Sequence, residues 1–196
     1  HYSQSKNLAI IHNGIIENYA DIKAKLQAKG VTFQSDTDTE VLVQLIEYVM
    51  VKKGLSLLEA VQVALYQVIG AYAIAVIDKR KPDELIAARK QSPLVVGIGN
   101  DEFFLGSDAS PIVEYTDKVV YLDDGNIAVI SRSTGDTNTP ETPAPSEGLH
   151  VVSILGKEQE LKVKTVDIDL GQIEKGGYPH FMLKEIFEQP ECLTNC

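Results

Sequence analysis

The chain has 196 residues, 44% of them hydrophobic and 23% charged, with 18 Lys+Arg against 28 Asp+Glu and a formal net charge of −10. This fits one globular domain with an ample core, and an acidic balance with no Lys/Arg cluster argues against a nucleic-acid or anionic-membrane surface. No apolar run approaches the roughly 18–20 residues that span a bilayer, and no signal-type leader opens the sequence.

The only two cysteines, Cys192 and Cys196, form no disulfide framework, which suits a cytoplasmic setting. A chain that starts on His1 and ends on Cys196 reads as a piece of a longer polypeptide.

Leu8 to Ile11 reads as a short, buried, fully apolar strand that stops at Asn13-Gly14. Asn18, with Asp21 three places on, predicts a capped helix with Tyr19, Ile22 and Leu26 on its apolar stripe and Gly30 at its end. A second helix is predicted from Asp38-Thr39-Glu40, with Leu42, Leu45, Ile46, Val49 and Met50 spaced by three and four. A third starts at Ser56, with Glu59 completing a capping box, and stops at Gly70.

From Ala71 the period becomes strand-like: 71–77, 84–89, 94–98 and 102–105. Residues 119–122 and 126–130 flank Asp123-Asp124-Gly125 as a predicted hairpin, and 151–155 and 161–168 flank Gly156-Lys157 as another. Residues 132–148, rich in Thr, Pro, Ser and Gly, read as a mobile loop. After Gly176-Gly177 a helix is predicted from Pro179 to Glu188, stopped by Pro190. Adjacent helices followed by successive hairpins, with no βαβ alternation, indicate an α+β fold of layered, mainly antiparallel sheets.

Few residues suggest chemistry. Asn13-Gly14 is a common hairpin-turn pair, but residues 15–17 leave no room for a return strand before Asn18. The alternative is that the Asn13 amide and the Gly14 backbone N–H serve one developing oxyanion. The acidic stretch Ser35-Asp36-Thr37-Asp38-Thr39-Glu40 reads as a helix N-terminus; alternatively, Asp38 faces a cleft and holds a substrate ammonium.

Gly97-Ile98-Gly99 lacks a third glycine and a following helix, so it reads as turn glycines and not as a dinucleotide loop. His12 reads as an interior histidine, the four histidines show no metal spacing, and Cys192/Cys196 make a poor zinc pair. No metal or cofactor is expected.

The order Ile11-His12-Asn13-Gly14-Ile15-Ile16-Glu17-Asn18, then Ser35 to Glu40, Gly70-Ala71-Tyr72, Ser92-Pro93-Leu94 and Ser107-Asp108, resembles the class II glutamine amidotransferase domain. The resemblance implies an N-terminal-nucleophile hydrolase fold over 1–176. The segment His180 to Pro190 is similar to the linker found in members that pass ammonia to fructose 6-phosphate, so 177–196 would lead to a sugar-isomerase half absent here. Amidophosphoribosyltransferase, asparagine synthetase and non-catalytic domains of the same fold are the alternatives.

Carried over by motif, Asn13 and Gly14 would form the oxyanion hole and Asp38 would bind the glutamine α-ammonium. The family's N-terminal Cys and its Arg-Trp-x-Thr-His region are missing from this chain, which is therefore expected to be inactive alone. The resemblance also implies a homo-oligomeric parent.

Overall fold

The computed structural model describes residues 1–131, 148–166 and 177–194, with side chains up to Pro190. The elements in order are β1 (Leu8–Ile16), α1 (Tyr19–Gln27), α2 (Asp38–Lys53), α3 (Leu57–Leu65), β2 (Gly70–Asp78), β3 (Lys81–Lys90) and β4 (Val95–Ile98). They continue with β5 (Phe103–Gly106), β6 (Lys118–Tyr121), β7 (Asn126–Ser131), β8 (Leu149–Ser153), β9 (Val163–Thr165) and α4 (Phe181–Thr194). Two antiparallel sheets result, ordered β1-β2-β3-β7-β8 and β5-β4-β6-β9.

Strand alternation divides the first sheet between two cores. On one face Leu8, Ile10, Ile16, Ile74, Val76 and Ile86 bury against the apolar stripes of α1, α2 and α3, including Ile22, Leu26, Leu42, Ile46, Leu57 and Val61. On the other, Ala73, Ala75, Ala87 and Ala128 pack with Leu94, Val96, Ile98, Val120 and Leu122 beneath the second sheet. Four alanines on one face let the sheets approach closely. The result is the α+β layering that the sequence indicated.

Several elements differ from expectation. β1 continues through Asn13-Gly14 to Ile16, because its register with β2 is unbroken from Leu8↔Asp78 to Ile16↔Gly70. It is not buried on both faces: Ile11 is 70% exposed and Ile15 69%. β1 is an edge strand, and no residue of it belongs to the core between the sheets.

Asn18 makes no side-chain cap on α1; its amide bonds instead to the Gln67 carbonyl and the Ile69 N–H, tying β1 to the α3–β2 connection. Helix α3 closes at Leu65, and Gly70 opens β2 where a Cβ would lie 2.2 Å from the Ile15 carbonyl oxygen.

Neither predicted hairpin pairs its two predicted strands, although at Gly156-Lys157 the chain does turn back on β8, with the Ser153 N–H on the Lys157 carbonyl, the Gln159 N–H on the Val151 carbonyl and Val152 bridged to Glu158. β6 and β7 belong to different sheets, as do β8 and β9. Asp124 accepts the Gln91 N–H at 2.8 Å and pairs with Arg89 at 2.7 Å, while the Gly125 N–H bonds the Arg89 carbonyl. The Asp-Asp-Gly turn is thus a crossing point between sheets, fastened to the end of β3. Helix α4 runs past Pro190 to Thr194. The loop predicted at 132–148 lies outside the described residues except for Gly148, as does Gly176.

Candidate active site

Gly14 sits inside β1 with φ of +138°, and a Cβ there would fall 2.2 Å from the Ala71 carbonyl oxygen and 3.0 Å from Ser92 Oγ. No L side chain fits this backbone and this space. The need for glycine is steric, set by β2 and by the residues just after β3.

Alternation decides where the β1 amides point. Lys79 donates to the Asn7 carbonyl and Glu17 to the Ile69 carbonyl, so odd-numbered residues bond toward β2. Even-numbered N–H groups face the outer edge. Leu8 donates to Ser3 Oγ at 3.1 Å, Ile10 to the His1 carbonyl at 2.9 Å and Ile16 to Asp38 Oδ2 at 2.9 Å. Between these ties, the N–H groups of His12 and Gly14 have no partner among the described residues. Asn13 is exposed beside them, its amide likewise without a hydrogen bond.

The N-terminus of α2 stands at this edge. Thr37 caps it, accepting the Glu40 N–H at 3.3 Å, and Gly54 in the left-handed conformation ends it. Glu40 is buried and accepts the Gln34 N–H at 2.8 Å and the Ser35 N–H at 2.6 Å. Burial pushes its carboxyl up, but the bonds from Ser35 and Gln34 outweigh burial and hold it below the usual range. The loop leading to Asp38 is thereby fixed.

Asp38 keeps one oxygen on the Ile16 N–H and leaves its side chain 23% accessible. Two strand residues separate Ile16 from Gly14, a span of about 6.6 Å. A carboxylate and an unpaired backbone N–H therefore share one strand edge at roughly the spacing between the two ends of a small amino-acid side chain.

His12 lies against both. Its Nδ1 is 3.0 Å from Thr39 Oγ1 and 3.9 Å from Asp38 Oδ2, with the side chain 1% accessible. Burial lowers its pKa below the ordinary 6.5, only partly offset by the Asp38 charge and the Ala71 backbone. Its Nε2 is buried without a hydrogen bond.

Asn13, Gly14 and Asp38 are thus brought together, with Ala71 and Ser92 packed behind Gly14. Asp108 serves its own turn, accepting the Ser110 N–H at 2.7 Å. Gly97 is a packing glycine, since a Cβ there would meet Ile112 at 2.4 Å. The side chain of Cys192, and Cys196 altogether, lie outside the described residues. Sequence reasoning placed His12 in the interior but missed its contacts with Thr39 and Asp38; the spacing of 27 residues to Thr39 carries no local signal.

A family model described as a glutamine amidotransferase domain matches residues 1–114. Over its full length the chain is 64% identical to glutamine–fructose-6-phosphate aminotransferase (isomerizing) of Bacteroides thetaiotaomicron and 49% identical to that of Chlorobaculum tepidum, spanning 30% of each. Among solved structures, the glutamine phosphoribosylpyrophosphate amidotransferase of B. subtilis superposes with a TM-score of 0.60 at 25% identity, covering 79% of this chain and 30% of that one.

The antiparallel sheets and flanking helices are those of the N-terminal-nucleophile hydrolase fold of such amidotransferases. With the family model spanning more than half of its length, the chain belongs to the glutamine amidotransferase domain family.

Proposed function

We propose that the chain is the glutaminase portion of a glutamine–fructose-6-phosphate aminotransferase, with residues 1–176 forming the amidotransferase domain and 177–196 leading toward a sugar-isomerase half. The relatives' names and the 30% share of their length support this reading. The structural observation that carries it is the unpartnered Gly14 N–H on the outer edge of β1, two residues from the N–H that holds Asp38.

In this reading glutamine lies along that edge. Asp38 takes the α-ammonium, and the Asn13 amide and Gly14 N–H face the side-chain carbonyl oxygen. A thiolate from an N-terminal Cys preceding His1 in the longer protein attacks the amide carbon. The C=O electron pair moves to oxygen and is held by the two donors. The Cys α-amine, which took the thiol proton when the thiolate formed, returns it to the departing nitrogen as the intermediate collapses, so that ammonia leaves. Water then releases glutamate from the thioester and restores the thiol. Ammonia passes to fructose 6-phosphate in the second half. The segment 1–196 alone has no such thiol and does not hydrolyse glutamine. The longer enzyme works in the cytoplasm as a homo-oligomer.

The test is glutamate release by the full-length protein with its Cys exposed at the N-terminus; a folded protein of that kind without glutaminase activity sinks the reading. In the same enzyme Asp38→Asn raises the KM for glutamine by about tenfold or more, the range for a hydrogen bond to a charged group, with a milder loss of kcat. An unchanged KM removes Asp38 from the site.

A further inference from the structure

The N-terminus of α2 is tied to β1 at two points that flank Gly14 symmetrically. At residue 16 the backbone N–H donates to Asp38 Oδ2 at 2.9 Å; at residue 12 the imidazole Nδ1 bonds Thr39 Oγ1 at 3.0 Å. Asp38 and Thr39 are adjacent on the first turn of α2, and the Thr39 hydroxyl also lies 3.4 Å from Asp38 Oδ1. Each Asp38 oxygen is therefore engaged from a different direction, one by strand backbone and one through Thr39.

His12 cannot act on a substrate directly, because its side chain is 1% accessible. Packing alone does not account for it either. A buried Nε2 without a hydrogen bond is unfavourable, and an apolar ring of similar size would avoid that penalty. An imidazole supplies polar contacts that a hydrocarbon does not, with the Ala71 backbone and through Nδ1 with Thr39, and the second of these reaches the helix that carries Asp38.

We infer that His12 is a positioning residue: through Thr39 it fixes the Asp38 carboxylate at a set distance from the Gly14 N–H, and so governs affinity for the α-ammonium of the substrate. The inference rests on the glutaminase reading of the chain. It predicts a defect in binding, since the oxyanion donors belong to β1 and keep their place when the His12–Thr39 contact is lost.

The experiment uses the full-length enzyme and measures glutamate release against glutamine concentration. His12→Phe keeps a ring but offers Thr39 nothing; it raises the KM about tenfold while kcat changes less than about threefold. His12→Asn places an amide where Nδ1 stood and returns the KM to within about threefold of the unsubstituted value. Thr39→Val raises the KM as His12→Phe does, and Thr39→Ser restores it. In an Asp38→Asn background, His12→Phe adds no further rise, because both substitutions act on one interaction.

An unchanged KM in His12→Phe and Thr39→Val overturns the inference, as does an equal loss in kcat that His12→Asn fails to rescue. If His12→Phe does not fold, the Thr39 pair decides. An unsubstituted enzyme that releases no glutamate instead overturns the glutaminase reading, and the inference with it.

Discussion

At Gly14 the backbone angle and the 2.2 Å approach to the Ala71 carbonyl both exclude a side chain. Gly14→Ala should lower stability by about 3 kcal/mol from overpacking and left-handed strain, seen as a lowered Tm in thermal unfolding. An unaltered Tm would show that β1 and β2 separate easily at this point.

His12 makes a second residue-scale prediction. Its folded pKa lies below 6.5, so below pH 6.5 the unfolded chain binds a proton that the folded chain does not. Stability should fall as pH drops from about 6.5 toward the folded value and level off beneath it. His12→Asn, which cannot titrate, should remove that slope; unfolding curves of the two proteins between pH 7.5 and 5 provide the check.

The residues of the site were legible unequally. Asn13-Gly14 stood out because the following cap left no room for a return strand, and Asp38 because it opened a periodic helix. Ser92 and Thr39 lay within motifs that the sequence displayed, but their place beside Gly14 and His12 was not legible, because it depends on how separate elements meet.

Among the elements, Ser56 and Asn18 make an instructive pair, since both precede a helix with an acidic residue three places on. At Ser56 the capping box forms fully, with Glu59 bonding back to the Ser56 N–H at 2.9 Å. Ser56→Ala should therefore cost about 1 kcal/mol in equilibrium unfolding. At Asn18 the side chain is claimed by Gln67 and Ile69, forty-nine and fifty-one residues away, so the local signal was overruled by tertiary partners. The two missed hairpins have a related cause. A glycine-bearing turn reverses the chain equally well whether the next strand joins the same sheet or the other one, and only the burial demands of both cores choose.

Among the described residues, α1, α2 and α3 form a helical layer over a five-stranded sheet, with a four-stranded sheet on its other face and α4 following in the chain. Absence of βαβ alternation was enough to read the class of fold, but not the assignment of strands to sheets. Large apolar side chains remain exposed on α4, including Met182 at 72% and Phe187 at 63%, and on β1 at Ile11 and Ile15. Among the described residues, no helix is long and apolar enough to cross a membrane.

A nine-residue strand at the rim of a sheet is ordinarily an invitation to another chain, which can add itself along the open row of donors and acceptors and begin an aggregate. β1 is spared this. Ser3 and His1 occupy one end of the row and Asp38 the other, leaving two consecutive outward amides, those of His12 and Gly14. In amide hydrogen exchange these two should be the fast pair in an otherwise protected strand. A gap of two donors is too short for an incoming strand to zip onto, yet wide enough for a single carbonyl oxygen. The same closure that opens the edge to a small molecule shuts it to a polypeptide.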